Sequence, residues 1–186
     1  MNKPKAIFLD RDGTLIEEKH YLNNPKDIIL EKNVLPALKQ LHLKGFLLFI
    51  VTNQSGIARG FFSEESFKET HQHLIKQLLS EGVPITATFY CPHHPSEGNT
   101  PYVQACSCRK PQPGLLYQAK EQYDFDFESS VMIGDKSVDI GAGKNAGLTS
   151  ILVQSGYGTS YPDSAPKPDY IAKDLLDAVQ HIFQLP

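Results

Sequence analysis

Two aspartates, Asp10 and Asp12, have the residue type and the spacing that most directly suggest chemistry in this chain. They follow the apolar run Lys5–Leu9, which is typical of a buried strand, and Gly13 then allows the backbone to turn sharply. Ligands of open α/β sheets bind beyond the carboxyl ends of the strands, so both carboxylates are expected in a crevice. Neighbouring acids repel each other unless a cation joins them, and their hard oxygens favour Mg²⁺. The alternative is a plain polar turn after a core strand.

Other polar side chains are predicted at the ends of later strands or the starts of helices. They are Thr52 and Asn53 after the strand Phe46–Val51, Lys110 before a helix, and Asp135 after the strand Ser130–Ile133, with Asp139 one helical turn further on. In a parallel sheet these positions share one edge, where they supply carboxylates for Mg²⁺, phosphate-binding groups and an ammonium. Phosphoryl transfer needs mainly such positioning and charge stabilisation. Taken singly, Thr52 is also explained as a helix cap, Lys110 as a solvated charge and Asp139 as a first-turn acid.

The remaining apolar segments alternate between strand and helix patterns, which predicts a doubly wound, Rossmann-like parallel sheet of the α/β class. Further strands are expected at Ile85–Tyr90 and Leu148–Val153, giving five in all, and a closing helix at Lys173–Phe183. With no internal repeat and no composition break, residues 1–186 are expected to form a single domain. The segments 17–32 and 157–168 are expected to be a flap beside the crevice and a surface loop.

Two helix starts carry capping residues. Asn33 is expected to cap a helix with Val34, Leu38 and Leu41 on its apolar face, and Ser63 is expected to cap the next helix. In that second helix one apolar face is predicted from Phe67, His71, Leu74, Ile75, Leu78 and Leu79. His71 is therefore interpreted as a residue at the edge of the core rather than as a ligand.

Composition excludes several classes of partner. A formal net charge of −3 gives no reason to expect nucleic acid or an anionic membrane surface as a partner. The chain has no signal-peptide pattern, and the apolar run Phe46–Val51 is too short to span a bilayer. A cytoplasmic protein is expected, with a monomer as the simplest assembly.

All three cysteines lie in one Pro- and His-rich segment, residues 91–108. Cys91, Cys106 and Cys108 with His93 or His94 form a tetrahedral Zn²⁺ ligand set, and closed coordination of this kind is structural. Spacing alone does not decide whether His93 or His94 is the fourth ligand. Because Lys110 follows almost directly, we expect the zinc to position it. The alternatives are three free thiols in a surface loop or, with less support from three cysteines, an iron–sulfur cluster.

Four segments resemble the motifs of haloacid dehalogenase superfamily phosphatases, in the same order along the chain. They are Phe8-Leu9-Asp10-Arg11-Asp12-Gly13-Thr14, Val51-Thr52-Asn53, Arg109-Lys110-Pro111 and Ile133-Gly134-Asp135-Lys136-Ser137-Val138-Asp139. The resemblance implies that Asp10 is a nucleophile forming an aspartyl-phosphate and that Asp12 is the general acid and base. It further implies Mg²⁺ held by Asp10, the Asp12 backbone carbonyl and Asp135. Thr52 and Lys110 would stabilise the phosphoryl group.

The cysteine segment, together with Thr52-Asn53-Gln54-Ser55-Gly56-Ile57-Ala58-Arg59-Gly60, resembles the D-glycero-D-manno-heptose-1,7-bisphosphate 7-phosphatase family. That resemblance implies Zn²⁺ bound by Cys91, His93, Cys106 and Cys108, no large cap domain, and removal of the C7 phosphate in heptose precursor synthesis for cell-envelope glycans. The substrate, a small phosphorylated sugar, would contact Glu18, Lys19, His20, Tyr21, Thr52, Asn53, Gln54, Ser55, Arg109, Lys110 and Lys136.

Parts of the sequence also suit two other functions. Histidinol-phosphate phosphatase has a similar zinc loop and the same four motifs, and the acidic pair Glu17-Glu18 would suit its amine-bearing substrate. Lys19 and His20 instead suit a second phosphate. A non-catalytic zinc-binding interaction module would need a basic surface stripe, whereas the lysines here are scattered.

Overall fold

A single six-stranded sheet organises the computed structural model, which describes residues 3–185. Its strands are β1 (Lys5–Leu9), β2 (Leu47–Asn53), β3 (Ala87–Cys91), β4 (Asp126–Gly134), β5 (Thr149–Val153) and β6 (Tyr170–Ala172). They lie in the order β3-β2-β1-β4-β5-β6, and every neighbouring pair is parallel. The predicted doubly wound parallel sheet of the α/β class is therefore confirmed.

Helices cover both faces of the sheet. They are α1 (Val34–Leu43), α2 (Ser55–Ala58), α3 (Glu64–Ser80), α4 (Gly114–Gln122), α5 (Ser137–Asn145) and α6 (Leu175–Ile182), with 3₁₀ turns at Pro25–Asp27 and Gly158–Ser160. Alternate residues of β1 point to opposite faces: Ile7 and Leu9 pack with α1, α3 and α6, whereas Ala6 and Phe8 pack with α4 and α5. No helix within residues 3–185 has the length and apolar character needed to cross a bilayer.

The carboxyl ends of the central strands meet at one edge. Leu9, the last residue of β1, pairs with Ile50 of β2 and Ile133 of β4, and Asn53 pairs with Cys91 at the end of β3. The residues that follow β1, β3 and β4 consequently converge, as ligand-binding residues do in sheets of this type.

Several predicted strand boundaries differ from the structure. Thr52 and Asn53 lie inside β2 rather than after it, because their backbones continue the ladder to β3. The strand predicted from Ser130 begins at Asp126, which pairs with Lys5 across an irregular register. The prediction of five strands missed β6, whose three residues are too few for a periodic pattern, and α2 was also missed.

Predictions for the helices were partly wrong. Ser63 does cap α3, since its hydroxyl accepts a hydrogen bond from the Ser66 backbone N–H. Asn33 precedes α1 in a left-handed conformation, but its side chain donates to Asp174 Oδ2 at 2.7 Å and caps nothing. Leu79, expected on the apolar face of α3, is 58% exposed, because the packed stripe is narrower than predicted.

Candidate active site

A buried lysine lies between two carboxylates at the centre of the sheet edge. Lys110 Nζ is 2.6 Å from Asp10 Oδ1 and 2.6 Å from Asp139 Oδ1, and it donates to the Val51 carbonyl at 2.7 Å. Only 2% of Lys110 is exposed. Burial alone would lower the pKa of Lys110, but the two carboxylates raise it, so the ammonium stays charged. The solvated-charge interpretation of Lys110 is therefore wrong.

Asp135 adds another carboxylate to the same cluster. One carboxylate oxygen each from Asp10, Asp135 and Asp139 lies within 4.8 Å of the others. Burial and the Asp10 charge raise the pKa of Asp135 to about 8. Its Oδ1 is buried without a hydrogen-bond partner among the residues that the structure describes. A hard divalent cation would offset the repulsion between the carboxylates and would give Asp135 Oδ1 a partner. This oxygen-rich donor set therefore fits Mg²⁺.

Gly13 is required where the chain passes this cluster. Its φ is +86°, and a Cβ placed there would lie 2.3 Å from Asp135 Oδ2. Any other residue would be strained by the backbone conformation and would displace the carboxylate. The backbone therefore brings β1 and β4 together closely enough for Asp10 and Asp135 to share a cation.

The end of β2 holds the Lys110 backbone in place. The Asn53 side chain donates to the Lys110 carbonyl at 3.0 Å and accepts from the Lys110 backbone N–H at 3.0 Å. Thr52 is 1% exposed, and its hydroxyl accepts from the Gln54 amide at 2.9 Å. Thr52 is not a helix cap, and it lines one small cavity together with Lys110. Phosphate binding by Thr52 stays a prediction.

Asp12 is held by two neighbouring side chains. Arg11 donates to both of its carboxylate oxygens, at 2.9 Å from Nε and 2.8 Å from Nη2, and Gln54 donates to Asp12 Oδ2 at 2.9 Å. Burial alone would raise the pKa of Asp12, but these donors hold it below its ordinary value. Asp12 is therefore ionised in this arrangement. The guanidinium of Arg11 also lies over the Phe67 ring, 5.1 Å from the centre of the ring. This contact helps to hold the guanidinium against Asp12.

Two adjoining spaces open at this edge. A small cavity of about 40 Å³ is lined by Asp10, Asp12, Thr52, Asn53, Lys110, Lys136, Val138 and Asp139. A larger cleft of about 290 Å³ is lined by Arg11, Asp12, Glu18, His20, Tyr21, Leu22, Asn53, Gln54, Ser55, Gly56, Lys136 and Tyr157. Because Asp12, Asn53 and Lys136 line both, the larger cleft leads directly to the aspartate cluster.

Most residues predicted to contact substrate line one of these spaces, but two do not. Lys19 lies exposed on the flap, outside both sets of lining residues. Arg109 donates to the His93 carbonyl at 3.0 Å and is likewise outside them. A substrate contact by either residue remains a prediction.

Three cysteines and one histidine converge beyond β3. Cys91 Sγ lies 3.6 Å from Cys106 Sγ, which is 3.2 Å from Cys108 Sγ, and no disulfide joins them. His93 Nδ1 lies 3.7 Å from Cys91 Sγ and 3.5 Å from Cys108 Sγ. Four soft and borderline donors at these separations fit a tetrahedral Zn²⁺ site.

The structure shows which of the two candidate histidines, His93 or His94, lies beside the cysteine thiols. His94 Nδ1 accepts from the Glu97 backbone N–H at 2.8 Å, and its Nε2 lies 3.1 Å from Arg59 Nη2. His94 therefore fastens the cysteine segment to α2, while His93 joins the thiols. The segment is tied a second time where Tyr102 donates to Glu64 at the start of α3.

Two cleft residues with polar side chains, Arg11 and Tyr157, were missed by the sequence reasoning. Arg11 was interpreted only as part of a motif, although its position between two aspartates is itself a signal for an ion pair. Tyr157 comes from the loop after β5, which carries no motif, and its backbone N–H donates to Asp135 Oδ2 at 2.8 Å. Nothing in the sequence alone indicates that contact.

The chain is similar to known proteins in both sequence and fold. A family model described as HAD-hydrolase-like matches residues 107–178. The chain is 41% identical over 174 residues to the D-glycero-beta-D-manno-heptose-1,7-bisphosphate 7-phosphatase of Pasteurella multocida, covering 93% of this chain and 94% of that one. It is 43% identical to the enzyme of the same name from Vibrio cholerae, and that alignment covers 98% of this chain and 95% of the relative.

A solved structure shares the whole fold. It is the D,D-heptose 1,7-bisphosphate phosphatase from B. bronchiseptica complexed with magnesium and phosphate. The TM-score is 0.85 at 31% identity, and the alignment covers 97% of this chain and 98% of that one. The similarity therefore extends over nearly the full length of both chains.

Proposed function

Because the chain belongs to the D-glycero-D-manno-heptose-1,7-bisphosphate 7-phosphatase family of haloacid dehalogenase-like hydrolases, we propose that it is a Mg²⁺-dependent phosphatase of heptose 1,7-bisphosphate. It removes the C7 phosphate by way of an aspartyl-phosphate on Asp10. The observation that carries this proposal is the Lys110 ammonium, which lies 2.6 Å from both Asp10 and Asp139 beside the Asp135 carboxylate.

The metal site of the proposal uses Asp10, Asp135 and the backbone carbonyl of Asp12. When bound there, Mg²⁺ supplies positive charge that neutralises the phosphoryl oxygens and the nucleophilic carboxylate. Asp139 belongs to the same cluster, but its carboxylate pairs with Lys110 and its Oδ2 accepts from the Lys136 backbone N–H at 2.9 Å. We therefore assign Asp139 to positioning Lys110.

The reaction runs in two steps at phosphorus. In the first, a carboxylate oxygen of Asp10 attacks, the bond from phosphorus to the C7 oxygen breaks, and Asp12 gives a proton to that oxygen. In the second, water attacks phosphorus, Asp12 takes the proton of the water, and the bond from phosphorus to Asp10 breaks. Asp12 is ionised before substrate binds. It takes up one proton from solvent as the negatively charged phosphate binds beside it, gives that proton to the C7 oxygen in the first step, and regains one from water in the second.

Phosphate stabilisation falls to Thr52 and Lys110 in this proposal. Both are buried at the small cavity that also contains Asp10. An ammonium and a hydroxyl that are already fixed in a water-poor site stabilise developing charge without reorganisation.

The cleft favours a bisphosphate over histidinol phosphate. Glu18 Oε2 accepts from Lys136 Nζ at 2.6 Å, so the flap acid is already neutralised and offers little to an amine. Arg11 and Lys136 line the same cleft but are paired with Asp12 and Glu18. His20, whose ring lies against the uncharged Tyr157 hydroxyl, is the remaining nitrogen group there that can meet a second phosphate. Contacts by Glu18, His20, Tyr21, Asn53, Gln54, Ser55 and Lys136 to the sugar are part of this proposal, as are those of Lys19 and Arg109.

The second metal of the proposal is structural Zn²⁺ on Cys91, His93, Cys106 and Cys108. The Arg109 bond to the His93 carbonyl and the chain connection from Cys108 link this cluster to Lys110. A zinc ion would thus fix the segment that carries the catalytic lysine.

Replacing Gln54 by leucine is expected to lower kcat by about ten- to hundredfold. The amide of Gln54 bonds Asp12 at 2.9 Å and Thr52 at 2.9 Å, and a hydrogen bond to a charged group contributes about 1.5–3 kcal/mol. Steady-state phosphate release measures the effect. Gln72→Leu, at an exposed position of α3, is the matched control and should leave kcat unchanged. Equal kcat values for Gln54→Leu and the wild type would contradict the role assigned to this network.

The proposed function is tested by phosphate release with Mg²⁺ from both anomers of heptose 1,7-bisphosphate and from histidinol phosphate. Phosphorus NMR of the sugar product identifies which phosphate remains. We expect release from C7 with at least about 10²-fold higher kcat/KM than for histidinol phosphate. Faster turnover of histidinol phosphate, or release from C1, would contradict the proposal.

A further inference from the structure

Tyr157 stands on a loop that is fixed directly against the aspartate cluster. After β5, Ser155 Oγ donates to the Gly13 carbonyl at 2.7 Å, and the Tyr157 backbone N–H donates to Asp135 Oδ2 at 2.8 Å. Between them, Gly156 has a φ of +50°, and a Cβ there would lie 2.3 Å from Asp135 Oδ2. The loop is therefore held by the rigid part of the site.

The side chain of Tyr157 reaches away from that anchor to two groups of the cleft wall. Its hydroxyl lies 3.2 Å from His20 Nδ1, on the flap. Its ring lies 4.8 Å from Lys136 Nζ, a distance at which an ammonium is attracted to an aromatic face. All three residues line the larger cleft.

The flap needs such contacts to keep its shape. His20 and Tyr21 have φ values of 41° and 64°, a left-handed backbone that costs free energy in residues other than glycine. The His20 backbone N–H donates to Glu18 Oε1 at 3.0 Å, and Glu18 Oε2 accepts from Lys136 Nζ at 2.6 Å. Glu18, Lys136, Tyr157 and His20 thus form a closed ring of contacts at the cleft mouth.

We propose that Tyr157 is a positioning residue that holds His20 and Lys136 in place at the cleft mouth and thereby sets selectivity for a substrate with a second phosphate. This inference rests on the proposed function. Within the cleft wall, Arg11 and Lys136 are paired with carboxylates, whereas the His20 ring bonds an uncharged hydroxyl. When that hydroxyl donates to Nδ1, the proton of neutral His20 lies on Nε2, where it can be donated to a phosphate oxygen.

Removing only the hydroxyl tests this role. Tyr157→Phe keeps the ring and the backbone bond to Asp135, and it is expected to raise KM for heptose 1,7-bisphosphate by about two- to tenfold, the loss for one hydrogen bond. Its kcat should stay within about twofold of the wild type, because the metal-binding carboxylate is untouched. KM for heptose 7-phosphate, which lacks the second phosphate, should change less. Tyr157→Leu, which also removes the aromatic face beside Lys136, should raise KM for the bisphosphate further.

The matched control is Tyr161→Phe on the same loop. Its hydroxyl donates to the Pro166 carbonyl, and Tyr161 lines neither the larger cleft nor the small cavity, so the kinetic constants of this variant should equal those of the wild type. Unchanged KM for the bisphosphate in Tyr157→Phe would overturn the inference. So would an equal fall of kcat with both substrates, since that result places the effect at Asp135.

A second measurement does not depend on activity. Trypsin cleavage after the exposed Lys19 reports opening of the flap, and we expect Tyr157→Leu to be cut at least about threefold faster than the wild type or Tyr161→Phe. Equal cleavage rates would overturn the inference. If the wild type released no phosphate from either sugar, the proposed function would fail, and the cleavage rates would still decide whether Tyr157 holds the flap.

Discussion

Asp10→Asn is expected to lower kcat for phosphate release by at least about 10³-fold. An amide cannot attack phosphorus as a carboxylate does, and loss of a nucleophile removes the route that the rest of the site serves. The fold should persist, because Lys110 keeps its 2.6 Å contact with Asp139 and the substitution relieves repulsion between Asp10 and Asp135. We expect a change in the free energy of unfolding of less than about 2 kcal/mol.

The control for this prediction is Asp124→Asn. Asp124 pairs with Lys3 at the protein surface, where 81% of the Asp124 side chain is exposed. The substitution should therefore leave kcat unchanged. Steady-state kinetics and denaturant unfolding of both variants provide the comparison. Activity of Asp10→Asn near that of the wild type would exclude Asp10 as the nucleophile.

Cys108→Ser is expected to lose zinc, to melt at a lower temperature and to lower kcat by at least about 10²-fold. Cys108 lies two residues before Lys110, and its thiol is 3.2 Å from Cys106 Sγ and 3.5 Å from His93 Nδ1. Without the metal, the four ligands no longer hold together the stretch directly before Lys110, although His94 and Tyr102 still tie the segment to its neighbours. A displacement of about 1 Å at a catalytic group costs about that much activity. Elemental analysis, thermal unfolding and kcat measured at saturating Mg²⁺ give the three results.

Ser107→Ala is the matched control, because Ser107 lies between Cys106 and Cys108 and its backbone carbonyl accepts from Gly114 N–H at 2.9 Å. It should keep zinc, melting temperature and kcat. The structural role of the metal would be contradicted by a zinc-free Cys108→Ser protein that retained full activity and wild-type melting.

The sequence predicted the central sheet well and its margins poorly. The bounds of β1 were predicted as Lys5–Leu9, because a buried central strand is an uninterrupted apolar run. The end of β2 was missed, since Thr52 and Asn53 are polar side chains on a backbone that still pairs with β3. The short edge strand β6 has too few residues for any pattern, and only its pairing to β5 defines it.

The sequence indicated which residues form the candidate site, but it did not indicate which side chains they contact. The order of acids, threonine and lysine along the chain indicates phosphoryl transfer, because strand ends of a parallel sheet converge. That Lys110 lies between Asp10 and Asp139, rather than beside one acid, depends on how β2 and α5 pack. The contacts of Tyr157 depend on a loop conformation far from any motif, which no local pattern encodes.

Trapping the covalent intermediate tests most directly whether Asp10 is the nucleophile. The Asp12→Asn variant, supplied with Mg²⁺ and an aryl phosphate whose leaving group needs no proton, should accumulate the aspartyl-phosphate, because no base activates water in the second step. Reduction with borohydride after rapid quenching converts a phosphorylated aspartate to homoserine, which peptide mass spectrometry locates. We expect homoserine at position 10. Homoserine at position 135 or 139, or phosphate release with no reducible aspartate at any position, would contradict this expectation.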